Sequence, residues 1–245
     1  MTRRRFIADT FSSTTASLTG EQAHHLARVL RAQASQQYDI VAGGFLHRAT
    51  ITSITDNEVL FTLGEQLETD AALPIHLLLA VIKFDHYEWG LEKATELGAA
   101  RITPVLARRT EKHLAQAAAK RVERWRRITL EAAKQSRRSD LPEMDDPLPL
   151  TAALALVQTP HKLLLAETEQ ENTLAAALQA HAMPDGPAAE HNHQLALAIG
   201  PEGGWTQDEM QLFTAEGWRP ITLGPRILRA ETAAICALSI CSALL

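Results

Sequence analysis

After Pro74 the chain is punctuated by solid apolar runs, "IHLLLAVI", "RITPVLA", "HKLLLAE", "LALAIG" and "RPITLG", each followed by a segment of helical periodicity. Runs without polar alternation are buried on both faces, as parallel strands covered by crossover helices are. This rhythm constrains the fold more than any other feature, and it predicts an α/β domain on a parallel sheet. The helices are legible from their ends. "DHYEWGLEKATELG" predicts Asp85 as N-cap, a capping box closed by Glu88, and Gly98 at C′; Thr206 and Glu209 form another box. "AAKRVERWRRITLEAAKQS" is a long amphipathic helix with Val122, Trp125, Ile128 or Thr129, and Ala132 on its apolar face.

The first seventy residues read differently. "LTGEQAHHLARVLRA" opens as a helix with Thr19 at the N-cap, Gln22 at N3 and Leu18 as hydrophobic staple. Three β runs follow, broken at Gly43-Gly44 and Asp56-Asn57. A short helix plus β hairpins predicts a small barrel-like module. The polar stretch "ETDAALP" (68–74) marks a domain boundary, and "MPDGPAAEHNHQ" a linker inside the second domain.

The C-terminal "AAICALSICSALL" is the most apolar segment. It is shorter than the roughly 20 residues that span a bilayer, so it is expected to be a buried or interface helix, with no membrane partner. Both cysteines, Cys236 and Cys241, lie in it. Five apart on a helix they diverge, which disfavours a disulfide or a metal pair and fits a reducing, cytoplasmic compartment. His24-His25, His191 and His193 lack further ligands at workable spacing, so no metal is expected.

Net charge is −5, yet the residues from Arg101 to Arg138 hold twelve Lys/Arg against three Asp/Glu. Such a run suits either a polyanion-facing patch or a solvated face whose counter-charges lie elsewhere in the fold.

"AIGPEGGWTQDEM" stops an apolar run at Gly-Pro-Glu-Gly-Gly and restarts as a helix. It has neither the Lys-Ser/Thr of a P-loop nor the G-x-G-x-x-G of a dinucleotide fold. It is a strand-to-helix loop at the carboxyl edge of a parallel strand, where open α/β sheets bind ligands. "LGPRILRAETA" has the same placement and brings Arg226 and Arg229 to that edge. There is no G-x-S-x-G and no nucleophile–base pair, so the chemistry is expected to be non-hydrolytic.

"IGPEGGWTQDEM" followed by "LGPRILRAETAAICAL" resembles the C-terminal signature of the RsmE family of ribosomal RNA methyltransferases. "HHLARVLR", "KFDHYEWGLEKATELGAARITPVLARRT" and "ERWRRITLEAAKQSRRSDLPE" extend the resemblance along the chain. It implies a PUA-like RNA-binding β-barrel domain over 1–72 and a SPOUT α/β methyltransferase domain with a C-terminal trefoil knot over 73–245. It implies methylation of N3 of uridine 1498 in 16S ribosomal RNA, free or within the small subunit, by a cytoplasmic homodimer using S-adenosyl-L-methionine. The cofactor loops it implies are Leu165, Ala166, Glu167 and Thr168; Ile199, Gly200, Pro201, Glu202, Gly203 and Gly204; and Leu223, Gly224, Arg226, Ile227, Leu228 and Thr232. Arg229, then Arg226, would stabilise a uracil anion, with Glu202 a candidate base. Arg3, Arg4, Arg5, Arg28, Arg31, Arg108, Arg109, Arg124, Arg127 and Arg138 would contact RNA.

This chain departs from the family pattern outside those loops. "ASQQYD" stands for a Gly-Asp, "AGGF" for an acid-glycine turn, His86 at a basic position, and Arg137 for a glycine in "QSRR". Two further readings remain: a non-catalytic RNA-binding assembly protein, and a SPOUT enzyme acting on tRNA.

Overall fold

The computed structural model describes residues 5–68, 73–180 and 194–245. Arg3, Arg4, His191, His193 and nearly all of the expected linker lie outside the described residues. The chain divides into two compact units, Met1–Ala71 with Ala133–Leu141, and Ala72–Ala132 with Pro142–Leu245.

In the first unit β1 (Arg5–Ile7), β2 (Thr10–Phe11), β3 (Thr15–Thr19), β4 (Gln37–Ala42), β5 (Phe45–Ile54) and β6 (Glu58–Leu67) form one sheet in the order β1-β4-β5-β6-β3-β2. The three expected β runs are β4, β5 and β6. The edge strands β1 and β2 are consecutive, separated only by Ala8 and Asp9, whose amides donate to Val41 on β4 and Ser17 on β3. One short connection ties both edges together, so the sheet must curl. Leu18, Leu26, Ile40, Ile51 and Phe61 fill its interior.

The expected capping box on α1 (Gly20–His24) does not form. Asp9 takes the amide and hydroxyl of Thr19, and the Gln22 amide reaches the Ile7 carbonyl and Asp9. A carboxylate accepts hydrogen bonds more strongly than an amide oxygen, and Asp9 wins the N-cap groups. The helix then widens into a π-turn over His25–Val29.

The second unit holds β7 (Leu73–Ala80), α2 (Phe84–Glu96), β8 (Ala99–Leu106), α3 (Lys112–Ala118) and α4 (Val122–Ser136), the last ending in the first unit. Then come β9 (Glu143–Met144), β10 (Leu148–Pro149), α5 (Leu150–Ala155), β11 (His161–Leu165), α6 (Leu174–Gln179), β12 (Leu195–Ile199), α7 (Gln207–Ala215), β13 (Arg219–Ile221) and α8 (Ala230–Leu244). Strand order is β10-β8-β7-β12-β11-β13, with β9 on β8, and every pair is parallel. Alternate strand residues serve two cores, as solid apolar runs require. Ile75, Leu77, Leu79, Leu197 and Ile199 pack with α2, α4, α6 and α8. Leu78, Leu164, Ala196 and Ala198 pack with α5, α7 and Trp218. The short α3 and α5 had no clear sequence signal.

Helix ends divide. The Thr206–Glu209 box is present, and Gly98 follows α2 at φ +93°. Asp85, however, is not an N-cap, and the box with Glu88 is absent. Phe84 packs on Trp125, and the helix starts there, two residues earlier, with Lys83 at the N-cap. Glu88 instead takes the guanidinium of Arg124 at 2.8 Å and that of Arg121 at 3.4 Å. At the end of α4, Arg138 N–H donates to Ala133 and Arg137 N–H to Lys134, a Schellman closure. Its left-handed residue is Arg137, at φ +59°.

Candidate active site at the carboxyl edge of the sheet

Because the strands are parallel, the loops after β7, β8, β11, β12 and β13 all emerge at one edge. They enclose a cleft of ≈ 1170 Å³. The apolar run of β12 ends at Gly200, and the next four residues close a turn in which Gly204 N–H donates to Pro201 O at 2.8 Å. Gly204 sits at φ +70°, a conformation that disfavours any side chain. Gly203 has a steric reason instead: a Cβ there would lie 3.1 Å from Arg109 Cδ.

The Thr206–Glu209 box fixes more than a helix end. Glu209 is 3 % exposed. One carboxylate oxygen accepts from Thr206 N at 2.8 Å, and the other accepts from Arg108 N at 2.7 Å. It thereby ties the loop after β8 to the start of α7. The Arg109 guanidinium donates to the Gly203 carbonyl. Arg109, expected to meet RNA, thus belongs to the cleft wall.

The other loops are laced together in the same way. Thr222 N–H donates to Asn172 O at 2.8 Å, and Leu174 N–H to Thr222 O at 3.0 Å. The Glu169 carboxylate accepts from the amides of Glu171 and Asn172 and from the Asn172 side chain. Those hydrogen bonds, led by Asn172, hold its pKa down at about 2.

The cleft brings together the segments expected to bind a cofactor, 165–168, 199–204 and 223–228, together with Arg229. Thr232 is the exception. On α8 the cleft is faced by Ala230 and Ala233, one turn apart, and helical spacing turns Thr232 away from it. Glu202, Arg226 and Arg229 are exposed and form no ion pair within the described chain. Lys83, Trp205 and His86, to which the sequence assigned no cofactor contact, also line the cleft. In sequence His86 lies outside the cofactor loops. It reaches the cleft because α2 follows β7 at this same edge, and its Nδ1 lies 2.7 Å from Glu231 Oε1.

The expected RNA contacts sort by partner. Arg31, Arg108 and Arg127 are exposed with no carboxylate partner among the described residues. Arg28 pairs with Asp56, and Arg124 with Glu88. Arg5 donates to the Arg137 carbonyl. Arg138 is buried and held by Asp140. Arg101 forms a bidentate pair with Asp145 at 2.8 and 2.9 Å. Part of the basic run therefore finds counter-charges from distant sequence, which local counting could not reveal.

Residues 69–242 match the model of an RNA methyltransferase domain, and residues 18–64 that of an RNA methyltransferase PUA domain. A ribosomal RNA small subunit methyltransferase E from Synechocystis sp. is 38% identical over 236 residues, covering 94% of this chain and 74% of that protein. The chain belongs to the ribosomal RNA small subunit methyltransferase E (RsmE) family. The RsmE protein of Bacillus subtilis is 33% identical, with 92% of this chain and 88% of that protein covered. The RsmE structure from Neisseria gonorrhoeae, bound to S-adenosyl methionine, superposes with a TM-score of 0.78 at 28% identity, covering 99% of this chain and 98% of that one. A Legionella pneumophila methyltransferase solved with the cofactor SAM gives 0.78 at 29% identity, covering the same shares.

Proposed function

We propose that this RsmE protein transfers a methyl group from S-adenosylmethionine to N3 of uridine 1498 in 16S ribosomal RNA. The observation that carries the reading is the convergence of the backbone-rich loops after β11, β12 and β13 on one cleft, joined by two unpaired arginines. The cleft suits the cofactor chemically. Gly203 and Gly204 offer bare backbone, Leu165, Leu223 and Leu228 offer apolar walls, and the carboxylates of Glu167 and Glu202 complement a cation. When bound, the cofactor supplies an electrophilic methyl group on a sulfonium.

The remaining work falls to the chain. Uridine N3 is a poor nucleophile until its proton leaves, and the resulting charge spreads onto O2 and O4. A guanidinium beside those oxygens stabilises the anion as it forms. Arg229, at the N-terminus of α8, is the first candidate and Arg226 the second. Exposed Arg31, Arg108 and Arg127 suit RNA phosphates. The curled N-terminal unit, matched over 18–64 by the PUA model, suits RNA recognition. A trefoil knot and a homodimer complete the proposal. The apolar α8, with Leu244 and Leu245 exposed at its end, supports a partner subunit there.

Two measurements test it. Calorimetry should detect S-adenosylmethionine binding to the purified protein. Mass spectrometry of RNA from a strain lacking the gene should show one N3-methyluridine missing from 16S rRNA. An intact 16S pattern overturns the proposal, and a loss from tRNA would transfer the activity to that substrate.

A further inference from the structure

Helices α2 and α8 meet through two residues of α2 one turn apart. Gly90 faces Glu231 at ordinary packing distance, a Cβ built there lying 3.6 Å from Glu231 Cβ. His86, a turn earlier, holds Glu231 Oε1 at 2.7 Å from its Nδ1. Glu231 is 2 % exposed, and its Oε2 has no hydrogen-bond partner. A half-satisfied buried carboxylate is costly, and packing alone would favour an apolar residue.

The pair has a definite chemical sense. With Glu231 ionised its carboxylate only accepts hydrogen bonds; Nδ1 then carries the ring hydrogen, and Nε2 of a neutral imidazole keeps a free lone pair. His86 lines the cleft. Glu231 stands two residues after Arg229, which lines it too. Asp85 Oδ2 lies 3.7 Å from Nε2, and the cations Lys83, Arg109 and Arg229 line the same cleft. Glu202, by contrast, is exposed, and among the described residues no hydrogen bond fixes its carboxylate. A general base needs both reach and fixed orientation.

We propose that His86 accepts the N3 proton of the target uridine and that Glu231 is its positioning residue. This rests on the methyl-transfer reading above. The N3–H bond breaks and its proton passes to Nε2. The electron pair left on N3 forms the bond to the methyl carbon, while the carbon–sulfur bond breaks and its pair stays on sulfur. The imidazolium returns its proton to water. An imidazole can accept a proton on one nitrogen while the other holds a hydrogen bond, which a guanidinium cannot do.

The test uses the full chain. Nitrogen-15 NMR of the free protein should find His86 with hydrogen on Nδ1 and none on Nε2 at alkaline pH. The opposite tautomer overturns the proposal. In single-turnover methylation of 16S rRNA, His86→Ala should slow the reaction by about 10²-fold, the lower end for a lost general base, with cofactor affinity unchanged. Added imidazole should restore part of the rate, which a purely structural defect would not allow. His86→Lys should bind RNA normally yet stay slow. Wild-type rates in either variant, or a defect confined to cofactor binding, overturn the proposal. Should the wild type itself form no N3-methyluridine, the methyl-transfer reading fails first and takes this inference with it.

Discussion

Arg109 donates its guanidinium hydrogen bond to the carbonyl of Gly203, 94 residues later in the chain, and so clamps the loop after β8 to the turn after β12. The clamp works because Gly203 has no side chain. A Cβ would meet Arg109 Cδ at 3.1 Å, and the two added methyls of valine would displace the arginine. Gly203→Val should fold normally, since the arginine can swing into solvent, but should bind S-adenosylmethionine at least about tenfold more weakly, a loss of about 1.4 kcal/mol. Arg109→Ala should reproduce part of that loss. Calorimetry on both variants decides it, and unchanged affinity in folded Gly203→Val removes this loop from the cofactor site.

Arg229 presents an unpaired guanidinium at the start of α8 and stays charged at all accessible pH, so it can stabilise an anion but not act as a base. For Arg229→Ala the expected fall in kcat is about 10²–10³, as for loss of one oxyanion donor. Cofactor affinity should change by less than that. Raising the pH should recover part of the rate, because solvent then supplies more of the N3 anion. Near-normal turnover with a large cofactor defect would make Arg226 the next candidate.

Ion pairing separates the basic residues into two experimental classes. Replacing Arg31, Arg108 or Arg127 by Ala should flatten the slope of log K for RNA against log salt by about 0.7–0.9 per lost contact. Arg138→Ala should instead lower stability by about 1–3 kcal/mol in urea titrations, because it strips Asp140 of its hydrogen-bonded partner. An equal slope change in Arg138→Ala would place that residue at the RNA.

Glu169 offers a pH test of the loop after β11. The hydrogen bonds that its ionised form accepts from Asn172 and Glu171 hold its carboxyl down at about 2, below its ordinary 4.5. Its folded pKa is depressed, so its contribution to stability is fully present above pH 4.5 and is lost as pH falls toward 2. The amide resonances of Glu171 and Asn172 should therefore titrate near pH 2 in two-dimensional NMR. A midpoint at the ordinary carboxylate value would show that the turn is not held by Glu169.

Arg137 closes α4 in a left-handed conformation at φ +59°, where a Cβ is strained. Arg137→Gly keeps the backbone carbonyl that accepts from Arg5. Relief of the strain, less the entropy that glycine loses on folding, should raise stability by about 0.5–1 kcal/mol in urea denaturation. Destabilisation would mean that the arginine side chain contributes packing that outweighs its backbone cost.

Much of this protein was legible as sequence because the relevant physics is local. The solid apolar runs of β7 and β12 demanded burial on both faces, whereas β13 forms an edge strand with Arg219 and Pro220 exposed; the Thr206–Glu209 box needs only four consecutive residues. The loops at 199–204 and 223–228 could be placed at a sheet edge because parallel strands all end on the same side. Competition among partners distant in the chain was decided only in three dimensions. Asp9 took the amide of Thr19, Glu88 left its own helix for Arg121 and Arg124, and helical phase turned Thr232 out of the cleft in favour of Ala230 and Ala233. His86 and Glu231, 145 residues apart, carry no pattern that joins them. A hydrogen bond is won by whichever strong partner the packed core brings within about 3 Å, and sequence spacing ranks only the partners within a turn or two.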